Sequence, residues 1–103
     1  MKAPDIYREI LVCYDVECDR VRTKLMEALR DLGLIGIQKS VFWGYATMAD
    51  RTAIQNLFVT MLDSETDKAF LIPISLRERI IDSPDGFGYD ETSIPEYSEH
   101  AEI

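Results

Sequence analysis

The chain has 103 residues, an apolar content of 47% and a formal net charge of −8 at pH 7. This length fits one compact domain with its own hydrophobic core and leaves little room for a second. No segment approaches the roughly 20 apolar residues that span a bilayer, and the N-terminal residues lack the apolar core of a signal peptide. We therefore expect a cytoplasmic protein without a membrane partner. Two cysteines, Cys13 and Cys18, are too few for a zinc site.

The negative charge is concentrated at the C-terminus. Residues 1–76 hold nine Lys and Arg against eleven Asp and Glu, whereas residues 77–103 hold two against eight. Five basic residues cluster within a short window of the body: Arg20, Arg22, Lys24, Arg30 and Lys39. The overall negative charge argues against nucleic acid as a partner, but this local basic surface is compatible with nucleic-acid binding.

Asp15 stands at the end of an apolar run that begins at Ile10. Such a run predicts a strand buried on both faces. A carboxylate beside it costs free energy unless it is paired, hydrogen-bonded or bound to a cation. Asp is also a common turn residue at strand ends, and position alone favours that role over a metal or phosphate site.

The remaining pattern predicts alternating strands and helices. We expect a helix from Asp19, as N-cap, to about Leu32, stopped by Gly33. A strand region follows at 35–45, and Thr47 opens a second helix with Asp50 completing a capping box. A second buried strand is predicted at 69–74, a short strand at 77–81 and a turn at 83–86.

This order predicts an α+β fold, a ferredoxin-like βαββαβ sandwich in which two helices cover one face of an antiparallel sheet. We assign residues 1–82 to that domain. Residues 83–103 form an acidic C-terminal extension, predicted to be either a mobile tail or an edge strand on this subunit or a partner subunit.

Three segments together resemble the small CRISPR-associated protein of the adaptation step (Cas-two). They are Tyr14-Asp15-Val16, the helix start Asp19-Arg20-Val21-Arg22-Thr23-Lys24, and Gln38-Lys39-Ser40-Val41-Phe42. The similarity covers about residues 8 to 82. This chain departs from the family pattern at Gly36, where a basic residue is common, and at Trp43, where Glu is common.

The resemblance implies a homodimer in which Asp15 of both subunits holds one Mg²⁺ or Mn²⁺ ion. Asp15 is then both the catalytic residue and the metal ligand of an endonuclease acting on RNA or DNA. Arg20, Arg22, Lys24 and Lys39 are the expected nucleic-acid contacts, although each also suits an ordinary solvated surface. The resemblance further implies a CRISPR-associated integrase as partner in spacer acquisition.

Three alternatives remain open from the sequence. The first alternative is a non-catalytic adaptor that bridges integrase dimers and binds duplex DNA. The second is a related ribonuclease toxin, and the third is a small-ligand regulatory module on the same scaffold. The lack of a glycine-rich ligand loop disfavours the last.

Overall fold

The computed structural model describes residues 4, 6–81 and 83–97, and its elements follow the predicted βαββαβ order with a short helix added after the last strand. They are β1 (Arg8–Asp15), α1 (Asp19–Asp31), β2 (Ile35–Gln38), β3 (Val41–Ala46), α2 (Met48–Met61), β4 (Lys68–Pro73) and α3 (Arg77–Ile80). The four strands form one sheet in the order β2-β3-β1-β4, and each neighbouring pair is antiparallel. This arrangement confirms the ferredoxin-like α+β fold.

The core lies between the sheet and the two long helices. Alternate residues of β1, namely Ile10, Val12 and Tyr14, are buried on the helix side of the sheet. Leu25 and Leu29 of α1 and Ile54 of α2 pack against them and complete the core with other apolar residues. Because strand side chains alternate between faces, the intervening residues of β1 lie on the other, helix-free face.

The helix-free face is only partly covered. Leu11 and Cys13 of β1 are half-buried there. Their register partners on β4, Ile72 and Phe70, are 40% and 50% exposed. The prediction that both strands are buried on both faces is therefore wrong for the isolated chain, because helices cover only one side.

The helix ends follow local chemistry. The Thr47 side chain accepts the Asp50 N–H at 3.1 Å, and the Asp50 carboxylate accepts the Thr47 N–H at 3.0 Å, which confirms the capping box. Gly33 follows α1 with φ of 90°, a left-handed value that favours glycine. Cys18, without a side-chain cap bond, occupies the N-cap of α1 that the sequence assigned to Asp19.

Two predicted strands need correction. The region 35–45 is a hairpin rather than one strand region, because Ser40 adopts φ of 63° and turns the chain between β2 and β3. The short strand predicted at 77–81 is instead the helical turn α3. The Glu9 carboxylate accepts the Arg77 N–H at 2.7 Å, which satisfies a first-turn amide that a helix leaves without a partner.

The described part of the acidic extension, residues 83–97, contains no strand and folds back on its own chain. Ile94 is fully buried, and Tyr97 lies with its ring centroid 5.2 Å from Tyr7 and 5.5 Å from Tyr45. The Arg77 Nε donates to the Ile94 carbonyl at 2.9 Å. Residues 98–103 lie outside the described part, and an edge strand on a partner subunit stays a prediction. None of the described helices has the length and apolarity needed to cross a membrane.

Candidate functional site

Asp15 is the last residue of β1, and its side chain is exposed. By strand alternation it shares the helix-free face with Leu11 and Cys13 rather than the helix-side core. Lys68, the first residue of β4, is its register partner across the β1–β4 pair. The strand thus holds a carboxylate at the end of a partly exposed apolar face, with a cation on the neighbouring strand.

The turn that follows Asp15 is fixed by Asp67. One Asp67 carboxylate oxygen accepts the Glu17 N–H at 3.0 Å, and the other accepts the Asp63 N–H at 2.9 Å. These backbone hydrogen bonds, first to Asp63 and then to Glu17, hold the pKa of the Asp67 carboxyl below its usual value. Asp67 therefore joins the β1–α1 turn to the α2–β4 loop beside the predicted metal ligand.

The described part of one chain does not assemble a protein cage for a metal. Among the described residues, no group of three or more His, Cys, Asp and Glu side chains could hold an ion. Mg²⁺ needs fewer protein ligands than such a cage provides, because it retains several waters and is commonly bound through one or two carboxylates. The exposed oxygens of Asp15 fit that requirement if a second carboxylate is brought to the same place.

The four predicted nucleic-acid residues divide into two groups. Arg20 and Lys24 are exposed on α1 at i and i+4, so they share one outer side of the helix. Arg22 is 32% exposed, pairs with the Asp19 carboxylate and donates to the Val16 carbonyl at 2.6 Å. Lys39 lies exposed in the β2–β3 turn rather than on a strand.

Arg22 and Lys39 border a common pocket with a third cation. The pocket has a volume of about 410 Å³ and lies between α1 and the β2–β3 hairpin. Arg30, in the last turn of α1, is the third cation lining it. The sequence placed Arg30 in the basic window but did not assign it to the site, since only the fold brings the two segments together.

Tyr14 and Ser40 also belong to this pocket rather than to the surroundings of Asp15. Burial raises the pKa of the Tyr14 hydroxyl, although Arg22, Arg30 and a hydrogen bond with the Ser40 side chain oppose the effect. The Tyr14 ring stacks on Phe42 with a centroid distance of 6.2 Å. Both Tyr14 and Phe42 are buried, so both rings belong to the core as well as to the pocket wall.

Comparison with known proteins agrees with this geometry. The sequence profile of the CRISPR associated protein Cas2 family matches residues 8–79. The CRISPR-associated endoribonuclease Cas2 1 of Francisella tularensis subsp. novicida is 36% identical over 96 residues, which cover 93% of this chain and 96% of the relative. A CRISPR-associated endoribonuclease Cas2 from Korarchaeum cryptofilum is 35% identical over 80 residues, covering 78% of this chain and 86% of that one.

The fold agrees as well. The crystal structure of Streptococcus pyogenes Cas2 superposes with a TM-score of 0.62 at 23% identity, covering 70% of this chain and 94% of that one. The antiparallel sheet with helices on one face, the strand-end aspartate and the sequence matches define the class: this chain belongs to the CRISPR-associated Cas2 family. The resemblance predicted from the three sequence segments is confirmed.

Proposed function

We propose that this protein is a homodimeric endonuclease of CRISPR spacer acquisition that hydrolyses phosphodiester bonds with Mg²⁺ or Mn²⁺. Its preferred substrate in this proposal is RNA, because the two full-length relatives above are named endoribonucleases. The observation that carries the proposal is the position of Asp15. It is an exposed carboxylate held by a strand end on the partly uncovered face of the sheet.

The helix-free face supplies a surface for the second subunit. Phe70 and Ile72 are exposed there next to half-buried Leu11 and Cys13. Together these four residues form an apolar patch that we call the sheet-face patch. Burying apolar area contributes about 25 cal/mol per Å², so a second copy of the same face gives a favourable self-complementary contact.

A two-fold contact across this face brings two Asp15 side chains to one interface. Two carboxylates at short range repel each other unless a cation lies between them. Hard divalent ions prefer carboxylate oxygen, so the pair would favour Mg²⁺ or Mn²⁺. The symmetric interface would thereby supply a second carboxylate ligand beside Asp15.

The chain's own residues would then position the substrate. Asp15 holds the ion, and Asp67 keeps the adjoining turn in place through its bonds to Glu17 and Asp63. The exposed cations Arg20 and Lys24 attract the phosphate backbone. When bound, the ion stabilises negative charge on a phosphodiester and lowers the pKa of a coordinated water.

The non-catalytic adaptor remains the second candidate for one structural reason. The basic pocket bordered by Arg22, Arg30 and Lys39 lies on the helix side of the sheet, whereas Asp15 lies on the other face. Nucleic acid bound at that pocket need not reach Asp15. In this alternative the dimer bridges CRISPR-associated integrase subunits and supports duplex DNA.

Cleavage assays on labelled single-stranded RNA and duplex DNA separate the two functions. The endonuclease proposal predicts Mg²⁺-dependent cleavage that Asp15→Asn reduces about a hundredfold or more. Glu65→Gln, which removes an exposed carboxylate in the α2–β4 loop, is the matched control and should retain activity. Cleavage that is equal in wild type and Asp15→Asn would reject the proposal. Nucleic-acid binding without cleavage in either protein would favour the adaptor.

A further inference from the structure

The pocket between α1 and the β2–β3 hairpin has a composition that the Asp15 site does not explain. Its volume of about 410 Å³ lies within the usual range for small-molecule sites and exceeds the space that a lone ion occupies. The residues lining it are Tyr14, Arg22, Thr23, Met26, Arg30, Gly36, Ile37, Gln38, Lys39, Ser40 and Phe42. Three of these are cations, and none is an acid.

Two segments bring the cations together. Arg22, Met26 and Arg30 lie at successive i, i+4 positions of α1, so their side chains follow one another along the helix. Lys39 reaches the pocket from the hairpin turn, where Ser40 has a positive φ of 63°. The fold thus places cations from a helix and from a turn around one concave surface.

The cations are not equally engaged within the protein. Arg22 is held by the Val16 carbonyl and the Asp19 carboxylate. Arg30 and Lys39 are exposed, and neither has an ion-pair partner within the described ranges 6–81 and 83–97. Two cations are therefore available to an anion from solution, next to a third that is held in place.

The wall of the pocket leaves room for a ligand larger than an ion. Gly36 contributes no side chain, and a Cβ added there would stand 3.4 Å from the Phe42 ring. Met26 and Ile37 add apolar surface. Tyr14 also lines the pocket, and its phenolic hydroxyl is a hydrogen-bond donor.

We propose that this pocket binds a nucleotide through its phosphate group, with Arg30 and Lys39 supplying the charge and Arg22 the fixed donor. The inference rests on the proposed function in that the protein acts on nucleic acid. It adds a subsite on the helix side of the sheet, separate from Asp15. Arg30 becomes a binding residue that no sequence motif assigned.

Two sources offer this phosphate chemistry: a free nucleoside monophosphate and the phosphorylated end of a nucleic-acid strand. Calorimetry on the full chain distinguishes them with two ligand pairs. The first pair is uridine 5′-monophosphate and uridine. The second is a short single-stranded RNA with a 5′-phosphate and the same RNA with a 5′-hydroxyl. Asp15→Asn serves as the background for the RNA titrations, so that cleavage does not interfere.

The proposal predicts that the phosphorylated member of at least one pair binds about tenfold more tightly, as expected for a charge-assisted contact. Arg30→Gln and Lys39→Gln should each remove most of that difference, and Arg30→Lys should restore part of it. Arg79→Gln, which removes an exposed cation of α3, is the charge-matched control and should have no effect. Thermal unfolding of every variant verifies that the fold is retained.

A phosphate preference in the first pair identifies free nucleotides as a ligand, and one confined to the second pair identifies a strand end. The proposal is overturned if neither pair shows a phosphate preference, or if Arg30→Gln behaves like Arg79→Gln. The proposed endonuclease can fail independently, because its test is cleavage by Asp15 whereas this one is binding in its absence.

Discussion

Tyr14 and Asp15 are neighbours in the chain but lie on opposite faces of the sheet. Tyr14 is 8% exposed and belongs to the core on the helix side, whereas Asp15 is exposed at the end of the helix-free face. One strand therefore contributes to two surfaces at the same end. Our proposals concern both surfaces: metal binding is proposed on the helix-free face and phosphate binding on the helix side.

The sheet-face patch should control dimerisation. Phe70→Lys places a charge in the proposed interface, and burying an unpaired ammonium is costly. We expect the dimer dissociation constant to rise about a hundredfold, measured by sedimentation equilibrium. Phe87→Lys is the matched control, because Phe87 is 97% exposed in the extension. If Phe70→Lys and Phe87→Lys associate as the wild type does, the patch is not the interface.

The extension should be anchored by Arg77. Its side chain donates to the Ile94 carbonyl at 2.9 Å and lies 3.6 Å from the Glu96 carboxylate. Arg77→Met leaves that carbonyl without its donor, which costs about 1–3 kcal/mol. We expect Arg77→Met to be cleaved within residues 83–97 faster than the wild type under conditions in which the domain stays folded. Arg79→Met is the control. Equal proteolysis of both variants would show that Ile94 and Tyr97 hold the extension without Arg77.

Glu9 connects this anchor to the sheet. Its carboxylate accepts the Trp43 indole N–H and the Arg77 backbone N–H, each at 2.7 Å. Trp43 is 2% exposed and is therefore a packing residue in this chain.

Asp67 should make the turn after Asp15 sensitive to acid. Its folded-state pKa is lowered, so the stabilisation from its hydrogen bonds is fully present above the unfolded value of about 3.9 and is lost as pH falls through the lower folded value. We expect Asp67→Asn to increase amide hydrogen exchange at Glu17 and Asp63 at neutral pH. The wild type should show the same increase only below about pH 4. Unchanged exchange at both amides would refute this role, and Glu65→Gln is the control.

Gly44 should be required for packing between β3 and the segment after α1. A Cβ at this position would stand 2.5 Å from the Leu34 Cδ2 and 3.2 Å from the Leu34 Cα. Overpacking of this kind costs about 1–3 kcal/mol, so Gly44→Ala should lower Tm by several degrees. Gly36→Ala meets only the Phe42 ring at 3.4 Å and should be nearly neutral. Equal Tm values would contradict the close approach.

Periodic segments were predictable from sequence, and irregular ones were not. The apolar stripes of α1 and α2 and the capping box at Thr47 follow from local residue spacing. The turn at Ser40 was missed because serine carries no strong signal for a positive φ. The helical turn at Arg77 was missed because it depends on Glu9, which is 68 residues away in the sequence.

The residues of the candidate site also differ in whether the local sequence could predict them. Asp15 was identified because it ends a long apolar run within a family motif. Arg30 and Asp67 were not, because their roles arise from contacts between segments: α1 with the hairpin, and the α2–β4 loop with the β1–α1 turn. Local pattern predicts which residues end an element, and only the fold shows which ends meet.

The central claim is that two Asp15 carboxylates share one divalent ion, and the stoichiometry of metal binding tests it most directly. Calorimetric titration of the dimer with Mn²⁺ should give one ion per two chains. In Asp15→Asn this binding should be lost while the dimer persists. A ratio of one ion per chain, or unchanged binding in Asp15→Asn, would contradict a shared metal site.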